Sequence, residues 1–103
     1  MKKSIIRSTK NSSLDTSFHG YTVTTTRNDL KRVLGKPHYV NRDSDEKVQH
    51  EWILEIDGHV FTVYDWKEYR NVKASEPIEW HIGAKSSLVA SHAQEELIEL
   101  LEK

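Results

Sequence analysis

The chain contains no cysteine, which excludes disulfide stapling, thiolate nucleophiles and cysteine-ligated zinc. It has only four glycines and two prolines in 103 residues, and no low-complexity segment or internal repeat is visible. No apolar run approaches the roughly 20 residues needed to span a bilayer, so no membrane partner is expected. The N-terminal MKKSIIRSTKNSS has two lysines without an apolar run behind them, and no secretion signal is expected there. Neither charge sign dominates: fifteen Lys and Arg stand against sixteen Asp and Glu, a formal charge of −1. A general nucleic-acid binder carries a basic excess and a mimic of DNA an acidic one. Only local charge patches can therefore steer a partner. This composition fits a cytoplasmic protein.

What remains is a chain of one-domain length with a well-charged surface. Residues 1–18 are rich in Lys, Ser, Thr and Asn and read as a flexible arm or an edge strand, ahead of a single domain over 19–103. Tyr21-Thr-Val-Thr-Thr is β-favouring. Thr26 can cap a short helix over Arg27–Leu34, in which Leu30, Val33 and Leu34 form the apolar stripe. Gly35 and Pro37 stop it. The stretch 38–49 is polar and reads as a loop.

The richest stretch is 51–69, EWILEIDGHVFTVYDWKEY. Two alternating runs flank Asp57-Gly58, a dipeptide suited to a two-residue turn in which both residues need φ > 0. That turn sets Ile56 opposite His59, Leu54 opposite Phe61 and Trp52 opposite Val63. One face is then Trp52, Leu54, Ile56, Phe61 and Val63, a core face. The other carries Glu51, Ile53, Glu55, Val60, Thr62, Tyr64 and Trp66, polar with aromatics to spare. Ile78, Trp80 and Ile82 alternate with Glu79 and His81 as a further strand, which Gly83 ends. Ser86 or Ser87 caps a last helix whose Val89, Ala93, Leu97 and Leu100 share one face, with glutamates mostly opposite. The order β-α-β-β-β-α, with an extra N-terminal strand if the arm pairs, predicts an α+β fold: a mainly antiparallel sheet with two helices packed on one face.

Candidate chemistry gathers at the end of the hairpin. Tyr64, Asp65, Trp66, Lys67, Tyr69 and Arg70, with His81 from the next strand, combine stacking surfaces with groups that hold phosphate or carboxylate. The plainer reading is that Trp66 covers a sheet edge and the charges are solvated. Asp65 and His81 can be read as an acid–base pair, but no nucleophile, oxyanion loop or phosphate motif accompanies them. The histidines at 19, 38, 50, 59, 81 and 92 show no metal-ligand spacing, so neither metal nor cofactor is expected. The segment Gly83-Ala-Lys-Ser-Ser is not a P-loop and reads as ordinary helix capping.

Four segments together carry a resemblance: Leu30-Lys-Arg-Val-Leu-Gly-Lys-Pro, Glu51-Trp-Ile-Leu, Val63-Tyr-Asp-Trp-Lys and Glu79-Trp-His-Ile-Gly. As a set, over residues 21–87, they resemble a group of small accessory proteins carried by tailed bacteriophages. The chain departs from that pattern in its Lys- and Ser-rich N-terminus and at Ala84, where a second glycine is expected. The resemblance brings no catalytic residue with it. It implies a phage origin and action on the bacterial host by binding rather than by chemistry, against a defence or regulatory component.

Three functions follow as expectations. The first is sequestration of a small anionic, nucleotide-type ligand by Tyr64, Asp65, Trp66, Lys67, Tyr69, Arg70 and His81. The second is inhibition of a host protein through the outer sheet face, where a charge at Val60 or Thr62 would block the complex without unfolding the domain. The third is a small acid–base enzyme using Asp65 and His81. A symmetric homodimer through the same face fits either binding reading.

Overall fold

A computed structural model describes residues 6–9, 15–41, 47–68 and 72–103. The elements are β1 (Ile6–Ser8), β2 (Ser17–Thr25), α1 (Arg27–Leu34), β3 (Tyr39–Val40), β4 (His50–Ile56), β5 (His59–Tyr64), β6 (Ile78–Ala84) and α2 (Ser87–Leu101). The strands form one antiparallel sheet in the order β1-β4-β5-β6-β2, with β3 also paired to β4. The α+β class and the packing of both helices on one face are as the patterning predicts. Among the described residues no helix is long and apolar enough to cross a membrane.

The hairpin register follows from its turn. Asp57 and Gly58 have φ of 50° and 82°, the left-handed pair that matches the strand twist. Trp52 pairs with Val63, Leu54 with Phe61 and Ile56 with His59. Alternation then sends Trp52, Leu54, Ile56, Phe61 and Val63 into one core with Trp80 and Ile82 of β6. Leu30 of α1 and Ala90, Ala93 and Leu97 of α2 close that core from the helix side. Each large apolar side chain buried there contributes about 1.5–3 kcal/mol.

Two core tryptophans hold α1 across the sheet. The Trp80 indole N–H donates to the Thr25 carbonyl just before α1, and the Trp52 indole N–H donates to the Gly35 carbonyl just after it. The two rings meet edge to face, 5.6 Å between centroids. A buried indole needs an acceptor, and both find one at an end of the same helix. Thr26 caps α1 by accepting from the Asp29 amide, and Ser86 caps α2 by accepting from the Val89 amide.

Three elements differ from the sequence reading. First, β2 begins at Ser17 rather than at Tyr21. Phe18 pairs with Gly83 and Thr22 with His81, so four steps along β2 cover two along β6. A bulge absorbs the excess, with Gly20 at φ 90° inside it. Second, Tyr39–Val40 form a two-residue strand on the edge of β4, within the stretch read as loop. Third, β6 runs on through Gly83 to Ala84.

Candidate functional site

The sheet has a second face, turned away from both helices. Register and alternation place Glu51, Ile53, Glu55, Thr62, Tyr64, Glu79, His81 and Gly83 there, with Thr22 and Phe18 from β2. One row crosses four strands: Glu51 pairs with Tyr64, Tyr64 with His81, and His81 with Thr22.

Around that row four rings meet. Phe18 stacks on His81 with centroids 4.4 Å apart and planes 24° from parallel. Tyr64 lies 5.6 Å from His81, and Trp66 lies 6.2 Å from both. Phe18 is 45% exposed and Trp66 39%, so the cluster presents aromatic surface outward. Gly83 makes room for it: a Cβ there would lie 2.7 Å from Thr62 Oγ1 and 3.4 Å from the Tyr64 ring. Tyr64 therefore covers the glycine, as an aromatic commonly does across a strand pair.

The electrostatics around the rings come mainly from carboxylates. Burial holds the His81 imidazole below its ordinary range, while Glu79 and Glu68 pull it back up. Burial raises the Tyr64 phenol, aided by Glu51. Burial also raises Glu51, aided by Asp65. Lys67 supplies a cation, its Nζ 5.7 Å from the centre of the Trp66 ring.

Of the residues singled out in the sequence, Tyr64, Trp66, Lys67 and His81 come together. Tyr69 and Arg70 lie outside the described residues. Asp65 turns to the opposite side and is buried. Its Oδ1 accepts from the Gln49 and His50 amides at 2.7 and 3.0 Å, and its Oδ2 lies 3.1 Å from His50 Nδ1. Arg27 lies 3.3 Å from His50 Nε2. A guanidinium only donates, so Nε2 accepts and the ring proton sits on Nδ1, aimed at Asp65.

The acid–base partner of Asp65 is thus His50 rather than His81, and both carboxylate oxygens are engaged. Arg27 occupies the ring nitrogen that a general base would need. This arrangement acts as a clasp: it joins the end of β5 to the start of β4. Two further bonds tie the same loops, from the Lys67 amide to the Lys47 carbonyl and from Gln49 Nε2 to the Glu68 carbonyl. The clasp fixes the backbone on which Trp66 and Lys67 stand.

Val60 and Thr62 require a second correction. They are 8% and 2% exposed, although they belong to the face turned away from the helices. A charge at either would be buried, and would destabilise the domain before it could report on a partner.

Phe18 escaped the sequence reading. It closes the stretch read as an arm, ahead of the β-favouring run that starts at Tyr21, and only the bulge at Gly20 brings it over His81. A separate groove of about 370 Å³ lies between residues 22–25 of β2 and Ile98, Leu101 and Glu102 of α2. It contains none of the four clustered rings. Among the described residues no three His, Asp or Glu side chains gather as metal ligands would.

Compared with known proteins, the chain matches no family model and no curated protein.

Proposed function

We propose that this chain is a non-enzymatic binding protein that engages a protein of the bacterial host through the open face of its sheet. The observation that carries the reading is the contiguous aromatic surface of Phe18, Tyr64, Trp66 and His81 on the face that neither helix covers. Exposed aromatic anchors around a rigid backbone are what protein interfaces use. The phage origin and the bacterial cytoplasm as its site of action rest on the resemblance of the four motif segments. A host defence or regulatory component is the target class that follows.

The same rings support capture of a nucleotide-type ligand by stacking, with Lys67 as the phosphate contact. That reading has less support, because the carboxylates of Glu51, Glu68 and Glu79 bear on the Tyr64 and His81 rings. An anionic ligand would meet like charge at short range.

Native mass spectrometry of the protein recovered from its bacterial host separates the two. A complex with a host polypeptide that is lost in the Phe18→Ala/Trp66→Ala variant supports the protein reading. A retained small mass of nucleotide size, lost in the same variant, would replace it with sequestration.

A further inference from the structure

We propose that the partner presents an arginine side chain to the open face, with its guanidinium seated among Trp66, Tyr64 and the Phe18–His81 stack. This rests on the reading of that face as the binding surface and names the chemistry it selects.

Two geometric observations carry it. The first is Lys67, whose ammonium lies over the Trp66 ring at 5.7 Å. The electron-rich face of an indole attracts a cation, and the chain's own Lys67 shows the sign of charge that the Trp66 ring accepts. The second is the placement of the carboxylates. Glu51 is the cross-strand neighbour of Tyr64. Glu79 stands two residues from His81 on the same strand and face. Glu68 follows Trp66 in the clasped loop and bears on His81. A planar guanidinium can lie on a ring while its edge donates to one of these carboxylates, a geometry that an ammonium matches less well.

His81 favours the same occupant. Burial disfavours the charged form of its imidazole, and the ring lies flat against Phe18. Its partner Phe18 adds a second ring face at 4.4 Å. A phosphate would find one cation beside the rings, Lys67, against three carboxylates that repel it.

The test titrates isotope-labelled protein with three probes: hexa-arginine peptide, its neutral analogue hexa-citrulline, and adenosine monophosphate. The indole N–H signal of Trp66 and the backbone amides of Tyr64 and His81 serve as reporters. The indoles of Trp52 and Trp80 are bonded within the core and act as internal fold controls. Hexa-arginine is expected to shift the reporters saturably, with hexa-citrulline about tenfold weaker. Glu51→Gln/Glu79→Gln is expected to weaken hexa-arginine about fivefold with the core indoles unmoved. Equal binding of hexa-citrulline, shifts confined to the glutamates of α2, or tighter binding of adenosine monophosphate at the reporters would overturn the proposal. If the carboxylate variant keeps the host complex that Phe18→Ala/Trp66→Ala loses, the binding face stands and the arginine assignment falls. If both variants keep the complex, the face itself is wrong.

Discussion

Phe18 and His81 stack with their ring centroids 4.4 Å apart, although β2 must carry a bulge to bring them together. The contact joins the edge strand to the interior of the open face. It also covers one face of the imidazole, and burial is the main cause that holds His81 below its ordinary range. Removing the Phe18 ring should therefore change His81 before it changes the fold. In Phe18→Ala the His81 titration, followed by its ring proton signals, should move up towards the ordinary value of 6.5. The loss in stability should be about 1 kcal/mol, the scale of one aromatic pair. An unmoved titration would mean that burial of His81 does not depend on Phe18.

His81 also gives stability a pH dependence of known sign. Its pKa is lower folded than unfolded, so on acidification the unfolded chain takes up the proton first. Its contribution is present above pH 6.5 and declines as pH falls from there towards the folded value. Glu51 works in the opposite sense in a more acidic window. Its raised pKa means that its contribution is present below 4.5 and lost as pH rises through the folded value. The urea midpoint of wild type should fall relative to that of His81→Gln as pH goes from about 7.5 to about 5.5. A wild-type midpoint that rises relative to the variant on acidification would reverse the sign assigned to His81.

The Asp65–His50 clasp should be structural. Asp65→Asn keeps the shape but loses the charge that accepts from two amides and an imidazole. It should cost about 2 kcal/mol in urea unfolding and leave His81 in its stack with Phe18. A stable Asp65→Asn protein that has lost only binding would place Asp65 in the recognition surface after all.

Gly83 should tolerate no side chain while Thr62 stands beside it. Gly83→Ala puts a methyl 2.7 Å from Thr62 Oγ1, and Thr62 is buried with little room to yield. A loss of about 1–3 kcal/mol is expected. Thr62→Ala in the same chain removes the crowded oxygen, so the double variant should be more stable than the sum of the singles. Additive losses would mean that the strain lies elsewhere.

The tryptophan braces on α1 can be separated from packing. Trp52→Phe keeps most of the ring but leaves the Gly35 carbonyl without its indole donor. Gly35 is exposed, so water can replace the donor and the missing bond alone should cost about 1 kcal/mol, with cavity cost added. Hydrogen exchange should speed up towards the C-terminal end of α1, where Gly35 lies, more than at the Thr25 end. Uniform acceleration along α1 would contradict the two-ended brace.

Much of this architecture was legible because the hairpin has a period of two and a turn of fixed type. Asp57-Gly58 sets the register, and the register sorts Trp52, Leu54 and Phe61 from Glu51, Thr62 and Tyr64. The same count, carried one pair past Glu51 and Tyr64, sets His50 opposite Asp65. The clasp is thus implicit in the register, whereas nothing in the register sets Asp65 against His81. Phe18 was not readable, because a bulge of two extra residues leaves no trace in alternation. The burial of Val60 and Thr62 was not readable either: alternation assigns a side chain to a face and says nothing of what covers that face.

The central claim is that Phe18 and Trp66 together form the binding surface. Wild type and Phe18→Ala/Trp66→Ala are recovered from bacterial cells under identical conditions and the intact complexes are weighed. The unchanged core indole signals of Trp52 and Trp80 certify the fold. Wild type should carry a bound polypeptide that the folded variant lacks. A folded variant that keeps the same polypeptide would contradict the claim.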